Sequence, residues 1–97
     1  LMNYLEALNY GNSLLKSNNI DSYSLDAELL LSAVLKNTRE MVLINLQKKL
    51  DNKKFKYYKK LVLRRKNKEP IAYILNKKEF WRYTFKVNKE VLIPRPE

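Results

Sequence analysis

The sequence predicts an all-α fold, a small bundle of about five helices, followed by a C-terminal β-hairpin. Three observations point there. Apolar residues recur at helical spacing up to Asn76, residues that start helices stand between the periodic stretches, and after Asn76 apolar and polar residues simply alternate. A chain of 97 residues supports one core rather than two, because small domains bury a smaller share of their surface. Its 45% apolar content belongs to a folded module and not to a disordered basic tail.

Leu1, Tyr4, Leu5, Leu8 and Leu15 fall on one helical face and predict a first helix running to about Ser17. Gly11, the only glycine in the chain, lies on that face with Asn12. A glycine inside a helix costs about 1 kcal/mol relative to alanine, so its presence predicts a close approach between helices. Asn18-Asn19-Ile20-Asp21-Ser22 reads as a turn. Ser24 is the expected cap of a second helix, with Asp26 and Glu28 in its first turn, where the helix dipole favours carboxylates. Through Leu29, Leu30, Leu31, Ala33, Val34 and Leu35 this helix is apolar on nearly all sides, the pattern of a central, buried helix.

Thr38 is placed to cap a short third helix carrying Met41, Val42, Leu43, Ile44 and Leu46. Asp51 is placed to cap a fourth, from about Asn52 to Asn67. Phe55, Tyr58 and Val62 form its apolar stripe, while Lys53, Lys56, Lys60 and Arg64 line the opposite side. Glu69-Pro70 opens a short fifth helix, since a proline in the first helical position gives up an amide that has no partner there. That helix is expected to end near Asn76, a residue that tolerates the left-handed conformation. Residues 1–76 are therefore read as the bundle and residues 77–97 as a hairpin and the start of a connection. In the latter, Trp81, Tyr83, Phe85 and Val87 alternate with Arg82, Thr84 and Lys86, and Val91-Leu92-Ile93 forms the return strand.

The chain contains no cysteine and no histidine, which excludes disulfides, thiolate nucleophiles, zinc sites of the Cys/His type and imidazole acid-base chemistry. Asp26 and Glu28 point to different sides of their helix and cannot act on one substrate together. No Ser-His-Asp set, phosphate-cradling glycine loop or cluster of metal-binding carboxylates can be assembled, so neither a catalytic residue nor a metal site is expected. No apolar run reaches the length of a membrane span and no signal core is legible, which makes a cytoplasmic protein with no membrane partner the expectation. Leu1 precedes Met2 and the chain stops at Glu97, just after Pro94-Arg95-Pro96, so a piece of a longer protein is expected.

Charge is unevenly placed. The formal net charge is +10, of which residues 1–35 contribute −3 and residues 36–97 contribute +13; between Lys48 and Lys68 eleven bases accompany a single acid, Asp51. A ridge of this kind can neutralise phosphates in a salt-sensitive way, with Tyr57 among the bases available to stack on a nucleotide base. It can equally steer an acidic protein partner, or simply keep the domain in solution. The charge pattern alone leaves these three readings open.

The remaining motifs form an ordered series. Leu25-Asp26-Ala27-Glu28-Leu29-Leu30-Leu31 is followed by Arg64-Arg65, by Glu69-Pro70-Ile71-Ala72-Tyr73-Ile74-Leu75, by Glu79-Phe80-Trp81 and by Val91-Leu92-Ile93-Pro94-Arg95-Pro96-Glu97. In this order and spacing the series resembles the start of the HemK/PrmC family, the release factor glutamine methyltransferases; Asn76 stands where that family usually has glycine. The resemblance implies a helical N-terminal bundle and a hairpin leading into a Rossmann-like domain that binds S-adenosyl-L-methionine. It implies methylation of the side-chain amide of the glutamine in the Gly-Gly-Gln motif of peptide-chain release factors. The family's Asn-Pro-Pro-Tyr motif and glycine-rich donor loop have no match here, so no catalytic residue and no bound cofactor is implied for this chain.

What the resemblance leaves to these residues is holding the protein substrate. Lys53, Lys56, Lys60 and Arg64 are the candidates for that contact, and Phe80 and Arg95 are candidates for a place near the mouth of the active site. Arg95 sits between two prolines, which stiffen the segment that carries it. Packing of the hairpin against the bundle is the plainer role for Phe80 and Trp81. The rival function is a basic, non-enzymatic module that binds RNA or associates with the ribosome.

Overall fold

A computed structural model describes residues 2–75, and the expected hairpin over 77–97, with Phe80 and Arg95, lies outside the described residues. Two short strands and five helices follow one another: β1 (Met2–Asn3), α1 (Tyr4–Ser17), α2 (Tyr23–Leu35), α3 (Arg39–Leu43), β2 (Lys49–Leu50), α4 (Asn52–Lys66) and α5 (residues 71–75). The helical bundle is as expected. The antiparallel pair β1–β2, with Met2 opposite Leu50 and Asn3 opposite Lys49, is not.

That pair corrects the expected start of the first helix. Helical spacing of the apolar residues drew the helix back to Leu1, but Asn3 stops it. Its side chain accepts from the Glu6 amide at 2.9 Å while the Glu6 carboxylate accepts from the Asn3 amide at 2.9 Å, a reciprocal capping box. Residues ahead of the cap are extended and free to pair with β2. The ladder runs on as the Tyr4 and Leu5 amides donate to the Lys48 and Leu46 carbonyls. The head of α1 is thereby stapled to the approach to α4.

α2 is the central element, packed against α1, α3 and α4, and Leu29, Leu30 and Leu31 are all buried, as its nearly all-round apolar pattern predicts. Ser24 is not its cap. The helix begins at Tyr23, two residues earlier than a cap at Ser24 would start it, and the preceding Ser22 makes no capping bond, its hydroxyl donating instead to Asp26 Oδ2 at 2.8 Å. Thr38 and Asp51 do cap α3 and α4, accepting from the Met41 and Lys54 amides at 3.1 and 2.8 Å. α3 is short, as expected, and lies shallowly: of its apolar run only Val42 is buried, and Met41, Leu43 and Ile44 face outward, Ile44 at 72% exposure.

Gly11 does what its position demands. A Cβ there would overlap the Tyr58 hydroxyl and lie 3.2 Å from the Ala27 Cβ, so α1 can meet α2 and α4 this closely only without a side chain. Tyr58 is fully buried at that crossing, and its hydroxyl donates to the Ala27 carbonyl at 3.1 Å, which satisfies the polar end of an otherwise apolar contact. Phe55, on the same face of α4, meets Tyr10 edge-on with ring centroids 5.5 Å apart.

Three helices end without glycine. Asn19, Lys36 and Lys68 adopt positive φ (63°, 56° and 76°) just past α1, α2 and α4. In each case the next amide reaches back across the turn to a carbonyl in the last turn of the helix: Ile20 to Leu15, Asn37 to Ser32 and Glu69 to Arg64, at 3.0 to 3.1 Å. The third of these turns folds Glu69 back beside the end of α4.

Candidate functional site

α4 carries eight bases and no acid. Its core side is closed by Tyr58, Leu61 and Val62, which leaves Lys53, Lys56 and Lys60 on the exposed side, as the sequence predicts. Tyr57, 54% exposed, and Leu63 share that side, so the basic ridge is interrupted by an aromatic ring and an apolar side chain. Lys59 is turned away from the ridge, its ammonium 5.1 Å from the centroid of Phe55.

Arg64, the fourth predicted residue of the ridge, is engaged. Nε and a terminal nitrogen donate to the two Glu69 carboxylate oxygens at 2.8 and 2.7 Å, a two-pronged ion pair. The Arg64 hydrogen bond holds the Glu69 carboxyl below its ordinary range, and the same bond pushes the Arg64 guanidinium further up. Lys53, Lys56 and Lys60 therefore form the open part of the ridge, and Arg64 closes its C-terminal end.

Arg65, next in sequence, faces inward. Its Nε donates to Asp26 Oδ2 at 2.8 Å and a terminal nitrogen donates to the Glu69 carbonyl at 3.0 Å. Asp26 is only 3% exposed. The helix-dipole role expected for Asp26 and Glu28 is thus the smaller part of their work: Asp26 is a buried ion-pair partner, and Glu28, beyond the first turn, accepts from Arg39 Nε at 3.0 Å. The two carboxylates do serve different elements, in keeping with their opposed directions on α2. Lys68 adds a further tie, donating to the Asn18 carbonyl at 2.8 Å.

Sequence reading missed the Asp26–Arg65 pair because its members are 39 residues apart and nothing local joins them. A usable signal was present: an acid within an otherwise apolar helix needs a cation, and the doubled arginine supplies one that faces inward. Burial pushes the Tyr58 phenol well above its ordinary value, with Tyr10 and Glu28 acting in the same direction. Among the described residues no three potential metal ligands cluster, and no helix is long and apolar enough to cross a membrane.

The PrmC N-terminal domain model matches residues 6–75, the whole bundle from the first turn of α1 to α5. The chain is 41% identical over 85 residues to a release factor glutamine methyltransferase of Buchnera aphidicola from Acyrthosiphon pisum, covering 88% of this chain and 31% of that protein. It is 44% identical over 87 residues to a release factor glutamine methyltransferase of Clostridium botulinum, covering 90% and 31%. A bifunctional methyltransferase of Rickettsia conorii is 45% identical over 78 residues, covering 80% and 15%. No solved structure matches the chain. The chain spans about a third of the length of the release factor methyltransferases it matches. With residues 6–75 matched by the family model, the chain belongs to the PrmC N-terminal domain family.

Proposed function

We propose that this bundle is the substrate-holding part of an S-adenosyl-L-methionine-dependent methyltransferase acting on peptide-chain release factors, at the side-chain amide of the glutamine in their Gly-Gly-Gln motif. Family membership and relatives named for this activity support the reading. Residues 2–75 are given no part in holding the methyl donor. Gly11, the one glycine of the chain, lies within α1 packed against Tyr58 and Ala27, where it cannot serve a donor-binding loop.

The chemistry explains why a separate holding element is useful. A carboxamide nitrogen is a poor nucleophile, so rate must come from orienting it against the donor methyl group and keeping water away. A bundle that grips the substrate protein at a distance converts remote binding energy into placement of one side chain. The observation that carries this role is the exposed ridge of Lys53, Lys56 and Lys60, closed by Arg64 and free of acids along the length of α4. It suits an acidic patch on the release factor, with Tyr57 and Leu63 giving short-range contact once charge has brought the proteins together. Phe80 and Arg95 are assigned to the neighbourhood of the reacting glutamine.

The test is charge reversal of Lys53, Lys56 and Lys60 to glutamate in the complete enzyme, followed by stopped-flow association with a release factor over a range of salt. The expected result is a fall in the association rate of about tenfold or more at low salt and a flatter salt dependence. An unchanged rate and slope would refute the steering role. RNA binding that weakens steeply with salt, without affinity for a release factor, would establish the rival reading instead.

A further inference from the structure

The corner where α4 gives way to α5 is tied to the α1–α2 turn and the head of α2, 39 to 50 residues earlier in the sequence. Arg65 reaches Asp26 in α2 with one arm and the Glu69 carbonyl with another, Ser22 supports the same Asp26 oxygen, and Lys68 ties the corner to the end of α1 through the Asn18 carbonyl. Surface ion pairs rarely fix geometry, but this one is enclosed, with side-chain exposures of 18% for Arg65 and 4% for Asp26. A guanidinium is rigid and planar, so one group addresses both acceptors at a set angle, which a flexible ammonium cannot do.

The acceptor on the far side is well chosen for transmitting direction. Glu69 is followed by Pro70, whose ring fixes φ, and the Pro70 carbonyl accepts from the Tyr73 and Ile74 amides as α5 begins. Few free torsions separate the carbonyl held by Arg65 from the axis of α5. The Arg64–Glu69 pair and the turn at Lys68 hold the same peptide from outside.

We infer that Arg65 is a positioning residue: by clamping Asp26 and the Glu69 carbonyl together it fixes the orientation of α5 relative to α2 and α4. Its consequence for methylation rests on the proposed substrate-holding function, since a bundle that grips the substrate at the wrong angle misplaces the glutamine. The acid, the arginine pair and Glu69-Pro70 then act as parts of one joint, and none of them needs to touch the release factor.

Two variants test this. Asp26→Asn with Arg65→Gln removes both charges at once and strands neither; Arg65→Lys keeps a cation for Asp26 but cannot span both acceptors. Residual dipolar couplings of backbone amides report the orientation of α5 relative to α4. The expected result for both variants is that couplings at residues 71–75 shrink by about a factor of two or more while those of α1, α2 and α4 keep their values. Unchanged couplings in α5, or equal losses in every helix, overturn the inference. In the complete enzyme, kcat on a release factor should fall about tenfold with the KM for the methyl donor unchanged. Shrunken couplings with undiminished kcat refute the positioning role. Absence of release factor methylation by the unaltered enzyme refutes the functional proposal, while the couplings still decide whether Arg65 orients α5.

Discussion

Replacing Gly11 with alanine sets two effects of opposite sign against each other. Helix propensity favours alanine by about 1 kcal/mol at an interior position. Against it, the new methyl group would overlap the Tyr58 hydroxyl and press on Tyr58 Cζ and the Ala27 Cβ, each 3.2 Å away. The hydroxyl is the far end of its side chain but has little room to give, being fully buried and bonded to the Ala27 carbonyl at 3.1 Å. Overpacking of this sort costs about 1 to 3 kcal/mol, and with the ring held on both sides the upper half of that range applies. The net expectation is a loss of about 1 to 2 kcal/mol, or a fall in Tm of roughly 10 °C for a domain this small. Urea and thermal unfolding followed by circular dichroism measure it. Tyr58→Phe alone should cost about 1 kcal/mol for the lost hydrogen bond. In the double variant the overlapping atom is gone, so the combined loss should fall short of the sum by about 1 kcal/mol or more. A Gly11→Ala protein more stable than the parent, or additive losses in the double variant, would refute the close-approach argument.

Two titrations give further checks. The Tyr58 phenol is raised when folded, so the folded state holds that proton more tightly; its contribution is complete below the ordinary value of about 10 and is lost as pH climbs toward the folded value. Stability relative to Tyr58→Phe should therefore fall by about 1 kcal/mol for each pH unit above 10, read from urea midpoints at about pH 9 and about pH 11. Glu69 is depressed when folded, so its contribution is present above the ordinary carboxyl value of about 4.3 and disappears as pH falls through the lower folded value. The difference in Tm between the parent and Glu69→Gln should be present near neutrality and vanish in strong acid; a difference independent of pH would show that the pairing with Arg64 contributes nothing.

The elements of the bundle were legible where the signal is local. Thr38, Asp51 and the all-round apolar α2 lie where periodicity and capping chemistry place them. Errors arose where a local signal competed with a distant one. Leu1 continued a helical stripe, yet the Asn3–Glu6 box and the pairing of Met2 with Leu50 start the helix only at Tyr4. Ser24 looked like a cap, but the chain starts α2 at Tyr23, and Ser22 uses its hydroxyl on Asp26. The ends of α1 and α4, at Ser17 and Lys66, agree with the expected ends near Ser17 and Asn67, although asparagine and lysine rather than glycine take the left-handed positions and the single glycine serves packing instead. The short α3 is as expected, and with five residues it turns one side chain, Val42, into the core. At the candidate site, the exposure of Lys53, Lys56 and Lys60 followed from helical geometry alone, whereas the engagement of Arg64 depends on the turn at Lys68.

The motifs and the ridge divide the labour of α4 along its length. Asp26, Arg65, Glu69 and Pro70, four of the residues that carry the family resemblance, converge on its C-terminal corner, where loss of their contacts would loosen α5. Lys53, Lys56 and Lys60 belong to no motif and face away from that corner's buried contacts. Short-range, directional bonds are sensitive to identity, because a guanidinium and a carboxylate must meet at one angle. Long-range steering is sensitive mainly to net charge, because the field of several lysines hardly changes when one is moved along the helix. On the proposed function, adding or removing surface charge should alter the strength of the grip without disturbing the joint at Arg65. Exchanging Lys56 for arginine should leave association nearly unaltered, whereas exchanging Arg65 for lysine should loosen α5 although both substitutions keep the charge.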